Sequence, residues 1–280
     1  MIRQLQNLWW DVAESVFAAL AATFLLVESY EVVSDNNVTL PFSQFLLAVI
    51  VLGFAFFLIN GWFIRGFLRR QIEIKNHGCG TTINIKFGDL FSENGWKAIG
   101  VNDFFDSIVD EDLVSSKSLH GQTIETYWYN RRNDWQNQID SSLKDISSRT
   151  ESRPKGNLKR YPIGTTGYAK TGNNQFLFVA LGRTDAANNV TTANAETLIR
   201  AVRGMLEKAR AICSYQPLSI PLMGSGLARV GIKNSVLLDL IIAAVLEETR
   251  EAKVTGEITI VLPKDKEGQI NLKNHSRNWS

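Results

Sequence analysis

Two long apolar segments stand at the start of the chain, before any alternation of apolar and polar residues begins. The second segment, residues 45–64, reads FLLAVIVLGFAFFLINGWFI and carries no charge. Its length of about twenty residues is what a helix needs to cross the hydrocarbon core of a bilayer. The first, residues 8–27, is apolar in its second half but holds Asp11 and Glu14 in its first half. We predict that residues 1–70 form a two-helix transmembrane hairpin.

A cleaved signal peptide is the alternative for the first segment, and it is disfavoured because no small-residue cleavage pattern precedes the second apolar run. Asp11 and Glu14 are three residues apart, so a helix places them on roughly the same face. That face lies either at the level of the lipid headgroups or against another helix, as a polar seam used in assembly or ion passage. Both interpretations stay open at this point.

The basic residues that flank the two segments predict their orientation. Basic residues follow the second segment at Arg65, Arg69, Arg70 and Lys75. Arg3 precedes the first segment, and the connection over residues 28–41 has no Lys or Arg. Since Lys and Arg near helix ends are enriched on the cytoplasmic side, both termini and the large C-terminal part are predicted to be cytoplasmic. The expected location is the inner (cytoplasmic) membrane, crossed by both helices.

From residue 71 onwards the pattern changes to short alternating runs and helical runs. QIEIKN and TTINIKFGD flank HGCG, which is typical of a β-hairpin. Further strands are predicted at WKAIGVND, GTTGYAKTG, QFLFVALG, LSIPLM and EITIVLP. Helical spacing of apolar residues predicts helices over residues 121–146, 192–212 and 233–252. This succession predicts an α/β fold, with a three-layer domain and a mixed sheet over residues 71–280.

Charge and cysteine content exclude several classes of function. The net charge of +2 gives no reason to expect a nucleic-acid partner. The basic stretch RTESRPKGNLKRY, residues 149–161, is interpreted as a solvated loop, with anionic lipid headgroups or a phosphorylated ligand as alternative partners. Cys79 and Cys213 lack CxxC spacing, which argues against a disulfide framework or a zinc site. His77 and Cys79 in the hairpin turn are too few for a metal site.

A glycine-rich turn near the end of the chain is the main candidate for ligand binding. In SIPLMGSGLARVGI, Gly224, Ser225 and Gly226 follow a predicted strand and precede a predicted helix. Backbone N–H groups and the helix dipole at such a turn can hold a diphosphate. The spacing matches neither GxGxxG nor GxxxxGK. A plain strand-to-helix turn is therefore an equal alternative.

Three motifs, taken in order along the chain, resemble those of macro domains. INIKFGDLF and AIGVND resemble the family's opening Gly-Asp-Ile-Thr turn and Ala-Ile-Val-Asn strand end. YPIGTTGYA resembles its central Gly-x-Ala-x-x-Thr strand, and SIPLMGSGLARVGI resembles its phosphate loop. Together they span about residues 71–263. The resemblance implies a macro-like fold that binds ADP-ribose or a derivative.

The resemblance also implies site residues at the matching positions. Asp89, followed by Leu90, would accept from the adenine amino group in a buried position at the end of a strand, with a turn cap as the alternative. Asn102, followed by Asp103, would begin the ribose-side loop. The backbone amides of the phosphate loop would hold the diphosphate, and that loop comprises Gly224, Ser225, Gly226, Leu227, Ala228 and Arg229.

The chain departs from the family at the loop that positions substrate and water in hydrolytic members. Those members carry Asn-Ala-Ala-Asn and then a Gly-Gly-Gly loop, whereas this chain has NDFFD and SSKSLHGQ. We therefore expect a binding domain without catalytic residues. The replacement segment comprises Ser118, Leu119, His120, Gly121 and Gln122. Its amides and His120 would contact a ligand phosphate or an added group on the distal ribose, and an exposed helix cap is the equal alternative for His120.

A membrane hairpin joined to a diverged macro domain resembles the membrane-bound macro effectors of type II Thoeris antiphage defence. That resemblance implies a partner TIR-domain protein whose ADP-ribose-derived product, histidine-ADP-ribose in that family, is the ligand. The effector would sense it, assemble as a homo-oligomer, disrupt the lipid bilayer and cause cell death, without a cofactor or a metal. A membrane-tethered hydrolase of ADP-ribose derivatives and an inert structural anchor are the alternatives.

Overall fold

The computed structural model describes residues 2–34, 41–64, 66, 68–75, 80–226 and 230–279. The chain divides into two compact units. One comprises Met1–Arg70 together with Asn271–Asn274, and the other comprises Gln71–Ile270 together with His275–Ser280.

The N-terminal unit is built on two helices, α1 (Ile2–Ser34) and α2 (Phe42–Ile59), and a π-helical turn over Asn60–Ile64 continues α2. Two stretches, Val12–Glu31 of 20 residues and Phe42–Ile64 of 23 residues, are long and apolar enough to cross a membrane by length and composition. The prediction of two apolar N-terminal helices is confirmed, although both stretches differ from the predicted bounds.

Small residues form the contact between α1 and α2. Ser15, Ala19 and Gly53 are buried, and a Cβ added to Gly53 would lie 3.6 Å from the Cβ of Ala19. Large apolar side chains such as Phe17 and Phe54 are exposed. The side chain of Asp11 lies outside the described residues, so its predicted role stays a prediction.

The second unit is organised around one sheet. Its strands are β1 (Gln71–Lys75), β2 (Thr82–Gly88), β3 (Trp96–Asn102), β6 (Thr166–Thr171), β7 (Asn174–Thr184), β8 (Thr191–Thr192), β9 (Leu218–Pro221) and β10 (Glu257–Pro263). They follow the order β1-β2-β10-β9-β3-β7-β6, with β8 paired to β7. The five central strands run parallel, and these are β2, β10, β9, β3 and β7. Strands β1 and β6 are antiparallel to their neighbours. The predicted mixed sheet is confirmed. A separate pair, β4 (Arg149–Thr150) and β5 (Lys159–Arg160), is antiparallel.

The alternation of the sequence accounts for the first hairpin. Ile72 and Ile74 of β1 and Ile83 and Ile85 of β2 are buried, while the residues between them face outward or are partly exposed. Because successive side chains point to opposite faces of a strand, the isoleucines at every second position bury one face of each strand. The turn that holds His77 and Cys79 lies outside the described residues.

The helix predicted over residues 121–146 is wrong in one respect, because two helices stand there, α3 (Leu119–Trp128) and α4 (Arg132–Ser142). The side chain of Arg131 ends α3 by donating to the carbonyl oxygen of Tyr127 at 3.2 Å and to Thr171 of β6 at 2.8 Å. The pattern did not reveal the break, since Trp128 and Trp135 are seven residues apart and share a face in a continuous helix as well.

The remaining helices complete three layers. Trp128, Trp135 and Ile139 of α3 and α4 pack in one cluster with Phe176 and Phe178 of β7, on one face of the sheet. Helices α5 (Ala195–Ile212) and α6 (Asn234–Glu251) lie close to the bounds predicted for them. Helix α5 packs on the other face, to which the alternate residues of β7 point, and α6 packs against α5. The predicted three-layer α/β architecture is confirmed.

The C-terminal helix α7 (Leu272–Trp279) was not predicted. It is held by two side chains, because Nδ1 of His275 and Nε1 of Trp279 each lie 2.8 Å from Oδ1 of Asp239 on α6. Eight residues with two scattered anchors give a pattern too short to identify from sequence.

A backbone contact between α5 and the segment before β6 generates a test of the fold. A Cβ added to Gly204 would collide with the carbonyl oxygen of Gly164. Gly204→Ala should therefore lower the free energy of unfolding, since overpacking costs about 1–3 kcal/mol, more than the roughly 0.5–1 kcal/mol that Ala gains over Gly in a helix. Thermal unfolding of the full-length protein in detergent measures the change. Gly256→Ala is the matched control, because a Cβ there meets nothing within 4 Å; equal melting temperatures for the two variants would contradict the close contact.

Candidate functional site

The carboxyl ends of the parallel strands meet at one edge of the sheet. In open α/β sheets, ligands bind in the crevice outside these ends. Asp89 follows β2, Asn102 ends β3, and the turn at Gly224 follows β9. The sequence therefore brings three separate candidate segments to the same edge.

A cavity of about 390 Å³ lies at this edge, at the ends of β3 and β7. It brings together three of the predicted site residues, Asn102, Ser118 and His120. The rest of its lining comprises Gly100, Val101, Glu111, Asp112, Leu113, Val114, Ser115, Leu181, Gly182, Asn188, Asn189, Val190 and Thr191. The other predicted site residues in the described part of the chain are not among these.

Asn102 is held in position by Asp106. Its Nδ2 donates to Oδ2 of Asp106 at 2.8 Å, and its Oδ1 accepts from the backbone N–H of Asp106 at 3.2 Å. Both side chains are buried. The amide is thus satisfied by the protein and fixes the turn after β3.

Arg153 completes this network with a buried ion pair. Its guanidinium lies 2.8 Å from Oδ2 of Asp106, and both side chains have almost no exposure. It also donates to Oδ1 of Asn189 at 2.6 Å, while the backbone N–H of Asn157 donates to Oδ1 of Asp106 at 2.8 Å. The ion pair therefore joins the turn after β3 to the basic stretch and to the cavity rim.

The interpretation of residues 149–161 as a solvated loop is wrong for Arg153 and Arg160, although most residues of the stretch are exposed. Arg153 is buried, Lys155 pairs with Asp110, and Arg160 pairs with both Asp103 and Glu151. Lys and Arg are almost never fully buried unless paired, and acidic partners supplied by other loops permit it here.

Asp103 faces away from the cavity. Its Oδ1 accepts from the backbone N–H of Thr184 at 3.0 Å, and its Oδ2 lies 3.3 Å from Nε of Arg160. Burial raises the pKa of its carboxyl, and the hydrogen bond from Thr184 and the charge of Arg160 oppose that rise. Asp103 thus ties β3 to β7.

His120 is the most unusual side chain of the cavity. It is 5 % exposed, and its Nε2 is buried without a hydrogen-bond partner among the described residues. The ring centroid lies 5.5 Å from that of Trp135 and 6.2 Å from that of Phe178. Burial lowers the pKa of His120 to about 3, so the imidazole is neutral at physiological pH. The alternative of an exposed cap residue is wrong.

The segment around His120 begins α3. Oγ of Ser118 accepts from the backbone N–H of Gly121 at 2.9 Å, which is an N-cap bond. Gly121 is required because a Cβ there would collide with the carbonyl oxygen of Ser115. Leu119 is half-buried against the core, and Gln122 is exposed and donates to the carbonyl oxygen of Lys117 at 3.1 Å. The cap is therefore Ser118, and His120 points elsewhere.

Asp89 differs from its predicted burial. Its side chain is exposed, and it caps a short 3-10 helix by accepting from the N–H of Phe91 at 3.1 Å and from Oγ of Ser92 at 3.0 Å. The neighbouring Leu90 is buried. Desolvation first, and then the charge of Asp89, raise the pKa of Tyr127, whose ring centroid lies 5.8 Å from that of Phe91. The turn-cap alternative is correct for the geometry, and the carboxylate stays accessible beside two aromatic rings.

The glycine turn after β9 is open. Gly224 has φ +81°, a conformation that L side chains rarely adopt, and a Cβ there would meet Val230. Ser225 donates its hydroxyl to the carbonyl oxygen of Leu222 at 2.7 Å. Gly226 is exposed with nothing within 4 Å of an added Cβ, so a ligand can approach its backbone. Leu227, Ala228 and Arg229 lie outside the described residues.

Sequence reasoning missed the rim of the cavity. Glu111 accepts from Oγ of Ser115 and from the backbone N–H of Ser116, each at 2.8 Å, and Asp112 accepts from Nδ2 of Asn189 at 3.2 Å. Hydrogen bonds from Ser116 first, and then from Ser115, lower the pKa of Glu111. The acidic run DED was visible, but nothing local indicates that Asn189, 77 positions later, closes the rim.

The buried ion pair generates the first prediction for this site. Asp106→Asn leaves the guanidinium of Arg153 buried without a counter-charge, which typically costs about 3–5 kcal/mol of unfolding free energy. Urea unfolding of the full-length protein in detergent measures this loss. Glu196→Gln removes a surface carboxylate whose pair with Arg200 is mostly exposed, so it should cost no more than about 1 kcal/mol. Equal effects of the two changes would rule out a structural role for the buried pair.

The buried imidazole generates a second prediction. The unfolded chain takes up a proton on His120 near pH 6.5, whereas the folded chain does so only near pH 3. Stability is thus fully present above about pH 6.5 and is lost as the pH falls towards 3. His120→Gln should remove up to about 3 kcal/mol of the stability difference between pH 7 and pH 4. Parallel curves of unfolding free energy against pH for the variant and the wild type would contradict the burial of a neutral imidazole.

Comparison with known proteins agrees with the geometry. Residues 83–263 match the family model described as "Thoeris protein ThsA, Macro domain". A curated relative, Thoeris protein ThsA of Bacillus amyloliquefaciens (strain Y2), is 25% identical over 251 residues, which cover 84% of this chain and 80% of the relative.

Two solved structures show the fold. The Oceanobacillus iheyensis macrodomain with ADP is 12% identical with a TM-score of 0.51, covering 75% of this chain and 95% of that one. A variant of that macrodomain with ADPR gives a TM-score of 0.52 at 12% identity, covering 75% of this chain and 97% of that one. With the family model matching more than half of its residues, this chain belongs to the Thoeris ThsA macro-domain family.

Proposed function

We propose that this protein is an antiphage defence effector that senses an ADP-ribose-derived nucleotide through its macro domain. One observation carries the proposal. In a member of this family, the cavity at the carboxyl edge of the sheet contains Asn102, Ser118 and His120, and the open glycine turn follows a strand at the same edge. Structures of the same fold hold ADP and ADPR, which supports a ligand of this class.

The diphosphate, the adenine and the distal ribose of such a ligand each have a candidate partner along this edge. The diphosphate would lie over Gly224–Gly226, where the exposed Gly226 lets phosphate oxygens reach backbone N–H groups. The adenine amino group would donate to the accessible carboxylate of Asp89, beside the rings of Phe91 and Tyr127. The distal ribose would enter the cavity towards His120.

His120 supports a distal group that forms hydrogen bonds. A buried polar nitrogen without a partner costs free energy, and a ligand that satisfies it gains affinity and selectivity. Because the imidazole is neutral, it offers one donor and one acceptor. Histidine-ADP-ribose, whose histidine carries both kinds of group, is the proposed signal.

We propose that the protein is a sensor and not an enzyme. Asn102, Asp103 and Asp106 direct their polar atoms to other protein groups, so none is poised to activate a water molecule. The lowered pKa of Glu111 makes that rim carboxylate a weak base, and its oxygens already accept from two serines. General acid–base catalysis needs a proton donor or acceptor whose pKa lies near the working pH and which is within reach of the substrate. The proposed ligand is bound and released unchanged, without a cofactor.

The two apolar helices would carry out the response to the ligand by acting on the membrane. We place them in the inner membrane as a multi-pass hairpin, with the termini and the macro domain in the cytoplasm, following the distribution of Lys and Arg. A TIR-domain partner would supply the signal. Ligand binding would favour a homo-oligomer that disrupts the bilayer, and it can do so only by binding the assembled state more tightly.

Calorimetric titration tests the sensor. The full-length protein in detergent is titrated with ADP-ribose, histidine-ADP-ribose and NAD, and each mixture is then analysed for product by chromatography. We expect tight binding that favours histidine-ADP-ribose, with no turnover. Product formation would identify a hydrolase instead, and no binding of any of the three would overturn the proposed function.

A charge placed on the glycine turn tests the diphosphate position. Gly226→Glu should weaken the ligand at least about tenfold, because a carboxylate would repel the phosphates, and tenfold corresponds to about 1.4 kcal/mol. Ligand-dependent release of dye from vesicles should be lost in parallel. Gly256→Glu is the matched control, since Gly256 is also exposed and unobstructed but lies at the start of β10, at the opposite edge of the sheet. Equal affinities for the two variants would remove the turn from the site.

A further inference from the structure

A second cleft lies beside β5 and β7. It is distinct from the cavity that contains Asn102, Ser118 and His120, which we call the nucleotide cavity after its proposed ligand. The second cleft has a volume of about 360 Å³, and its polar lining includes Ser147, Ser148, Arg149, Arg160 and Arg183. A neighbouring cleft of about 320 Å³ shares Ile163 and Arg183 with it and adds Arg200 in the second turn of α5. We call the two together the arginine cleft.

The cations of the arginine cleft are unequally neutralised. Arg160 pairs with Asp103 and Glu151, and Arg200 lies 2.9 Å from Glu196. In the part of the chain that the structure describes, the side chains of Arg149 and Arg183 have no ion pair or hydrogen bond. Two uncompensated guanidinium groups thus line one concave surface, beside the hydroxyls of two serines.

The lining carries too few carboxylates to neutralise these groups. Asp103 and Glu196 are the acidic residues among those that line the cleft, and each already has an arginine partner. Guanidinium groups bind phosphate oxygens through two parallel hydrogen bonds, and serine hydroxyls add further donors. The chemistry of the lining is therefore that of a phosphate site.

The arginine cleft and the nucleotide cavity share their wall. Consecutive residues point to opposite sides of a strand. Three neighbouring pairs divide in this way, with the first residue of each lining the nucleotide cavity and the second lining the arginine cleft: Asn102 and Asp103, Gly182 and Arg183, and Thr191 and Thr192. The arginine cleft is thus a separate site, on the opposite side of the same backbone segments that line the nucleotide cavity.

We propose that the arginine cleft binds a phosphate-bearing anion as a second ligand site of this protein. The group recognised is a phosphate monoester or diester, which either a free phosphate compound or a phospholipid headgroup supplies. Arg149 and Arg183 are the specificity-determining side chains. The proposal does not depend on which ligand the nucleotide cavity holds.

Inorganic phosphate is the first probe. Thermal unfolding of the full-length protein in detergent is followed in phosphate and in chloride at equal ionic strength, because a ligand that binds the folded state raises the melting temperature. Arg149→Gln and Arg183→Gln should each raise the half-saturating phosphate concentration about tenfold. Arg277→Gln, which removes an exposed arginine elsewhere, should leave it unchanged.

Two further variants make the outcome specific. Phosphate should still raise the melting temperature of Gly226→Glu. If this variant no longer responds to phosphate, the phosphate binds at the nucleotide site and the proposal is overturned. A response that is the same in wild type and in the double variant of Arg149 and Arg183 would overturn it as well. Both arginines are exposed, so we expect the variants to fold. Their melting temperatures in chloride check this.

Lipid nanodiscs distinguish the two sources of phosphate. The same titration is run in discs of phosphatidylcholine and in discs that also contain phosphatidylglycerol. A headgroup in the cleft raises the melting temperature in phosphatidylglycerol, abolishes the response to added phosphate there, and loses both effects in Arg183→Gln. A free phosphate ligand gives the same response in both kinds of disc. No arginine-dependent response in either kind of disc rejects the site.

Discussion

The buried carboxylate of Asp106 is the constraint on which the cavity at the carboxyl edge of the sheet depends. It accepts from Asn102, Arg153 and Asn157, which come from the end of β3 and from the basic stretch. The close approach is possible because position 156 is a glycine with φ +90°, where a Cβ would lie 2.5 Å from Oδ1 of Asp106. Removing one partner of such a group leaves an uncompensated buried charge, so the network forms as a whole.

Aromatic packing extends this constraint. The guanidinium carbons of Arg153 and Arg160 lie 4.2 Å and 4.6 Å from the ring centroid of Phe104, so both arginines contact the same ring. Through Asn189, Arg153 also holds the rim opposite Asp112. These contacts hold the loop after β3 and the rim of the cavity together without a ligand. A preformed site spends less conformational entropy on binding.

The sequence was sufficient where structure follows local periodicity. The alternation of Ile72, Ile74, Ile83 and Ile85 predicts the hairpin, and the helical spacing in α5 and α6 predicts both helices. Contacts between distant residues could not be predicted. Asp106 and Arg153 are 47 positions apart, and neither NDFFD nor the basic stretch indicates its partner.

The candidate site shows the same division between local and distant information. The turn at Gly224–Gly226 and the N-terminus of α3 were recognised from local motifs. The exposure of Asp89 and the burial of His120 were not, since both follow from tertiary packing around Phe91, Trp135 and Phe178. A pattern of residue types identifies candidates, and burial then decides which chemistry each can perform.

The alternation along β7 and β8 limits how this protein can change during evolution. Gly182 and Thr191 face one cleft, while Arg183 and Thr192 face the other. Inserting or deleting a single residue in either strand would reverse the orientation of those that follow. The lining of one cleft would then be presented to the other. Substitutions can alter the two surfaces separately, whereas a change in strand length alters both at once.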